Sequence, residues 1–301
     1  MKTNICIVLF LVLALVLLPA CTNNAKTISE TVDSISTMHK DINYAIEDIG
    51  SSATAIGGES LDSVASVDRA KEKLIVLNEK SGIVKSKSDE IQAKIDFLKK
   101  LKLSEKQNLF VEKLSKSYKQ YGLYSDSVGQ LSSKMSDFFN WYSHFLQMSN
   151  YLTEIDKNEV LMGTYAQAKD FAKIKALVVD SKSKIVLAKQ ELDEAEKIIS
   201  FPFVIKFKAV FSQYNDYVGS LSSLADSVEK SNADKAIEDY NTATGYYNAA
   251  QEEVPVENEI TEQIGKWYNE NINGAKNKME EYANEAKRNY DDAFEIYNTP
   301  N

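Results

Sequence analysis

The chain has 301 residues, of which 44% are hydrophobic and 26% charged, and its formal net charge is −9. That composition supports a packed core and excludes a chain disordered throughout. Four prolines and eleven glycines, with no proline between residues 22 and 201, exclude a multi-stranded sandwich or barrel, whose turn signals recur every ~8–12 residues.

The N-terminus opens on Lys2, and Ile5 to Leu18 is then an unbroken apolar run of fourteen residues. A membrane-spanning helix needs about 20. A basic start, a short apolar stretch and small residues after it make a secretory signal. The run closes on Leu18-Pro19-Ala20-Cys21, followed by polar Thr22-Asn23-Asn24. This segment resembles the signal peptide and lipobox of prokaryotic lipoproteins, with Leu18 at −3, Ala20 at −1 and Cys21 as the lipid acceptor. The resemblance covers residues 1–24. It implies cleavage before Cys21, a diacylglyceryl group on the Cys21 sulfur and often an acyl chain on the new amino group. In diderm bacteria Thr22 after the cysteine implies outer-membrane sorting. Left uncleaved, the same run is a signal anchor. Both readings tether the chain to a cell membrane or outer membrane, outside the cytoplasm. Two or three acyl chains make such an anchor stable, whereas one is marginal. The expected organisation is a signal peptide over 1–20, a tether over 21–26 and a helical domain over 27–301. Cys6 and Lys2 leave with the signal, so the net charge becomes −10 and Cys21 is the only cysteine left. Packing rather than disulfides must then hold the fold.

From Ile28 onward apolar residues recur at alternating steps of three and four, the period of helices packed side by side. The first run is Ile28, Val32, Ile35, His39, Ile42, Ile46, Ile49, Ala53 and Ile56, closed by Gly57-Gly58. The second is Val67, Ala70, Leu74, Leu77, Ser81, Val84, Ser88, Ile91, Ile95 and Leu98. Ser104 reads as an N-cap for the third. That run is the longest, with its seam at Phe110, Leu114, Ser117, Tyr121, Tyr124, Val128, Leu131, Met135, Phe138, Tyr142, Phe145, Ser149 and Leu152. The fourth runs from Phe171 to Ile199 and breaks at Phe201-Pro202, because the residue before a proline disfavours the helical region. The fifth spans Val204 to Val228 and ends at a cap or kink at Ser231-Asn232. The sixth is seamed by Ala236, Tyr240, Ala243, Tyr247, Ala250 and Val254. Pro255 suits the first turn of a seventh, where Glu257 and Glu259 favour the helix dipole. No stretch alternates with the two-residue period of a strand. The expected fold is all-α, an elongated antiparallel bundle of coiled-coil hairpins with about seven helices.

Ser86-Lys87-Ser88 with Ala93-Lys94 matches Ser181-Lys182-Ser183 with Ala188-Lys189. Residues Tyr124 to Ser133 match Tyr214 to Ser223 at seven of ten positions in the same heptad phase. A duplicated hairpin, about 65–150 and 165–230, accounts for both matches; a convergent serine-rich surface is the alternative. Gly129 and Gly219 each cost a helix interior about 1 kcal/mol, a cost that a close helix crossing or a bound partner would offset.

Candidate chemistry is thin. His39 lies on a seam and reads as a packed histidine that sets register; His144 reads as a flank residue. No Glu-x-x-His, Cys-x-x-Cys-His, Gly-x-Ser-x-Gly or phosphate loop occurs, so neither a metal centre nor a cofactor is expected, and the chain reads as a non-enzyme. Negative charge, export and only two arginines, Arg69 and Arg288, argue against nucleic acid. Seven of the sixteen tyrosines fall between Tyr240 and Tyr297, in the Tyr/Asn-rich stretch 232–298. Tyr246, Trp267, Tyr268, Tyr290 and Tyr297 form the candidate binding surface, since amphipathic aromatics are frequent at recognition sites. The expected function is a membrane-anchored envelope lipoprotein with a structural or protein-binding helical ectodomain, a spacer or adhesin with an envelope partner or self-association through its seams. The alternative is an extracytoplasmic small-ligand or sensor bundle, with Ser81, Ser88, Ser117, Ser149, Ser181 and His39 lining a pocket or merely allowing close helix approach.

Overall fold

The computed structural model describes the backbone of residues 3–299 and the side chains of residues 25–299. The expectations for the lipobox, Cys21 and Cys6 therefore concern side chains outside the described residues. Among the described residues there is no strand. Eight α-helices follow in chain order: α1 (Thr3–Gly57), α2 (Val64–Leu98), α3 (Glu105–Gln167), α4 (Phe171–Ile198), α5 (Phe203–Glu229), α6 (Ala233–Glu253), α7 (Glu257–Tyr268) and α8 (Gly274–Asn298). The chain is an all-α helical bundle, as the periodicity requires. The first six expected helices are α1 to α6. The seventh is one helical path interrupted by the π segment Asn269–Asn273 between α7 and α8.

The helix ends carry the capping chemistry written in the sequence. The Ser104 hydroxyl accepts from Gln107 N at 3.3 Å while the Gln107 side-chain oxygen accepts from Ser104 N at 2.9 Å, a reciprocal capping box. Asp170 and Asn232 cap α4 and α6 by accepting from Lys173 N and Lys235 N. Pro202 stands at the N-cap of α5. Pro255, expected in the first turn of α7, lies just before it, because Val256 is the extended N-cap residue. Glu257 and Glu259 do occupy that first turn.

Two compact units share the chain. Unit one comprises α1, the segment Lys73–Ser132 from α2 and α3, and the chain from Asn273 on, which is α8. Its neighbours are antiparallel. Asp48 pairs with Lys80 and Asp41 with Lys87, Ser81 meets Ser125 where Gln92 meets Ser115, and Lys113 pairs with Asp292 where Ser117 meets Ala286. All ten expected seam positions of α2 are buried. Seam serines here tie helices together. The Ser125 hydroxyl donates to the Ser81 carbonyl at 2.7 Å, and the Ser117 hydroxyl donates to the Ala286 carbonyl at 2.8 Å.

Unit two comprises Gly58–Glu72 and Ser133–Ile272, and therefore the second half of α3 with α4, α5, α6 and α7. It is antiparallel too: Glu154 pairs with Lys184 and His144 with Glu191; Lys175 pairs with Asp226 and Lys208 with Asp193; Ser227 meets Asp239 where Tyr217 meets Tyr247. Its core is centred on fully buried Trp141, ringed by Phe138, Phe145, Phe201 and Phe203 with ring centroids 4.7–6.2 Å away. The two copies of the repeated hairpin do not coincide with the two units, since residues 65–150 are divided between them.

Three sequence readings need correction. Along α3 the expected seam holds to Leu131, but beyond it the buried apolar positions are Phe139, Trp141, Met148, Ile155 and Met162, while Tyr142 and Leu152 are half-buried and Ser149 is exposed. The reason is a change of partners: the second half of α3 packs on α4 and α5, and these select their own face. In α6 the buried residues are Asp239, Ala243 and Ala250, and Tyr240 and Tyr247 are exposed. A template built on apolar residues passes over Asp239, whose carboxylate is buried because it accepts from the Ser227 hydroxyl at 2.6 Å and pairs with Lys235 at 3.2 Å. Finally, no close crossing explains the repeat glycines. A Cβ on Gly129 would meet nothing within 4 Å, and one on Gly219 would meet only the end of the Lys182 side chain.

Candidate functional site: a cleft in unit two and an aromatic cluster in unit one

The last turns of α3, the first turns of α4 and the last turns of α5 enclose a cleft of about 380 Å³ in unit two. Met162, Phe171, Ile174, Leu221 and Val228 give it an apolar lining, with Glu159 and Tyr217 as its polar elements. The local sequence explains the opening. Three small residues, Gly163, Ala166 and Ala225, stand on the walls where larger side chains would fill the space. The size and the apolar lining with few polar groups are those of small-molecule sites.

Glu159 is the unusual member. It is half-buried, and its carboxylate accepts from the Tyr214 hydroxyl at 2.5 Å. Burial pushes its acidity toward the neutral form, against the Tyr214 hydrogen bond, and nearby Asp156 adds to the push. Glu159 is in no ion pair among the described residues; on α4, Lys175 pairs with Asp226 and Glu229, and Lys173 with Asp170. Tyr214 is held in its protonated form by burial and by Glu159, and burial lifts the Tyr217 hydroxyl to about 12.

Unit one holds a second concentration of polar groups. His39 on α1 is buried, only 7% exposed, and stacks on Tyr290 of α8 with ring centroids 3.6 Å apart and an interplanar angle of 11°. Tyr118 and Tyr121 of α3 approach the same imidazole at 6.0 and 5.7 Å. Burial lowers the His39 pKa to about 4, so the ring is neutral at pH 7. Its Nδ1 and the Tyr118 hydroxyl are buried without hydrogen-bond partners. A wider groove of about 620 Å³ runs past this cluster, lined by acids and bases alike, among them Lys40, Glu47, Lys287 and Asp291. His39 thus packs among aromatic rings and also lines this groove. His144 Nδ1 lies 2.6 Å from Glu191 on the flank between α3 and α4.

The five aromatic residues singled out from sequence are divided. Tyr246, Trp267 and Tyr268 belong to unit two, and Tyr290 and Tyr297 to unit one. Trp267 packs on Phe138 at 5.7 Å, Tyr290 on His39, and Tyr297 on Phe110 at 4.9 Å. Tyr268 is exposed and Tyr246 half-buried. The seam serines do not line the unit-two cleft. Ser81, Ser117 and Ser181 are hydrogen-bonded across helix contacts, Ser181 to Asn158 at 3.1 Å. The seam legible along α3 ends at Leu152, short of Glu159. The signal present was a glutamate continuing the buried spacing after Ile155.

Among the described residues, no group of three or more His, Cys, Asp or Glu side chains is placed to hold a metal ion, and no helix is long and apolar enough to cross a membrane. No protein-family model, curated protein or solved structure matches the chain.

Proposed function

We propose that this chain is an envelope lipoprotein, tethered through Cys21, whose helical ectodomain binds a small apolar ligand without transforming it. The observation that carries the binding role is the cleft of about 380 Å³ between α3, α4 and α5, apolar on its walls and holding one half-buried carboxylate. The tether rests on the signal-like segment ending in Cys21.

The described core begins at Ile28, so the chain from Thr22 onward carries all of it and serves for binding measurements. An uncharged solvatochromic naphthalene dye should brighten saturably on that chain and not on its Gly163→Leu variant. Gly163 lines the cleft, and a Cβ there meets nothing within 4 Å. Absence of saturable brightening on the unsubstituted chain would overturn the binding role. For the tether, cells fed a clickable palmitate should label the full-length protein and leave Cys21→Ala unlabelled. Equal labelling of both would remove Cys21 as the acceptor.

A second reading, a spacer or protein-binding ectodomain, is favoured by α6, which exposes Ile237 at 62% and Tyr240 at 59%. Under it, the chain from Thr22 is retained on isolated envelopes, and the double substitution Ile237→Ala, Tyr240→Ala releases it with no change in thermal midpoint. Retention unaltered by that substitution counts against this face.

A further inference from the structure

The half-buried carboxylate defines what the cleft is built to hold. A carboxylate taken out of water is costly unless it is paired and hydrogen-bonded. Glu159 accepts one hydrogen bond, from Tyr214, and is in no ion pair among the described residues. The acid beside it, Asp156, makes the local field more negative still. Two aromatic rings, Phe171 and Tyr217, stand in the same lining, and aromatic faces attract ammonium groups. An anionic ligand would meet repulsion at Glu159. A neutral one would leave the charge without its counterpart.

We infer that the cleft takes an apolar organic cation, an ammonium carried on an aliphatic or aromatic body. The ammonium sits at Glu159 beside the Tyr217 ring, and the body lies along Met162, Phe171, Ile174 and Leu221. The inference rests on the ligand-binding role proposed above and adds the ligand's charge and class. Specificity then comes from the penalty against the wrong head group: an alcohol leaves the half-buried carboxylate unpaired, and a carboxylate brings a like charge to it.

Three probes of one chain length separate the possibilities: n-octylammonium, n-octanol and n-octanoate, titrated calorimetrically into the chain from Thr22 below their micelle concentrations. The expected order is octylammonium tightest, by about tenfold or more over octanol, with octanoate weakest. A tenfold preference corresponds to ~1.4 kcal/mol, within what one charge-assisted contact supplies. Glu159→Gln should bring octylammonium and octanol to equal affinity while octanol binding persists. Gly163→Leu, and independently Ala166→Met on the same wall, should weaken all probes with helicity and thermal midpoint retained. Octanol binding as tightly as octylammonium, or a preference that survives Glu159→Gln, overturns the cationic class and leaves the ligand-binding role standing. Binding of all three probes unchanged by both wall substitutions removes the cleft as the site and the inference with it. No binding of any probe, together with no dye enhancement, overturns both.

Discussion

His39 shows how one buried polar side chain makes stability depend on pH. Its folded pKa of about 4 lies below the ordinary 6.5 because burial disfavours the imidazolium. The unfolded chain therefore takes up a proton at a higher pH than the folded one. The stabilising difference is fully present above pH 6.5 and is lost as the pH falls from 6.5 toward 4. Its size is of the order of 3 kcal/mol, taking 1.36 kcal/mol per pK unit. Urea midpoints of the chain from Thr22 should drop across that window. In His39→Phe, which keeps a ring for Tyr290 to stack on, the drop should be absent above about pH 4.5. A wild-type midpoint flat between pH 6.5 and 4.5 would refute the argument. Carboxylates such as Asp96 and Asp226, held low by neighbouring lysines, lose their contributions only at lower pH, so the two effects separate. At the same scale Ser81 is legible in sequence only as a small seam residue, and Ser125 not as a seam residue at all. Their reciprocal bonding, each hydroxyl reaching the other's carbonyl, depends on the register of two helices and emerges only when α2 lies against α3.

Among the elements, two helix ends place a non-glycine residue in the left-handed conformation and carry avoidable strain. α3 ends with Lys169 at φ 55° and α5 with Ser231 at φ 57°, each in the left-handed conformation. Asp170 N donates to the Tyr165 carbonyl and Asn232 N to the Ser227 carbonyl, the bond of wider chain span in a Schellman motif. Glycine adopts that conformation without the ~1–2 kcal/mol cost of a side chain, offset in part by its freer unfolded state. Lys169→Gly and Ser231→Gly should each stabilise by up to about 1 kcal/mol. Differential scanning calorimetry would read this as higher midpoints, and lower midpoints in both would refute it. The turns themselves were partly legible, since Asn232 was recognisable as a cap and Phe201-Pro202 as a break. The left-handed residues were not, because neither lysine nor serine announces positive φ. The phase of α3 beyond Leu131 was equally hidden. Trp141 and Tyr142 are adjacent, both suit a seam, and only the positions of α4 and α5 choose Trp141.

For the molecule as a whole, the absence of any cysteine from residue 22 onward has a measurable consequence. The thermal midpoint of the chain from Thr22 should be the same with and without dithiothreitol, because no intramolecular disulfide can form. A shift of several degrees on reduction would contradict it. Stability falls instead on the two cores, the aromatic one around Trp141 and the one where His39 meets Tyr118, Tyr121 and Tyr290. The second shows why aromatic residues distant in sequence resisted assignment to a surface. Tyr290 and Tyr297 pack on His39 and Phe110, residues more than a hundred positions away, and no local pattern reports that distance.

The sequence alone determined the all-α class, the helix order, most helix ends and the buried stripe of α2, because each depends on short-range chemistry: the 3.6-residue turn, side-chain caps and proline's missing N–H. Tertiary structure decided which helices share a unit, which face α3 and α6 bury beyond their first partners, and where space is left open. The cleft at Glu159 belongs to that second group. Its carboxylate, its tyrosines and its small wall residues lie on three helices, and their joint chemistry exists only once those helices are packed together.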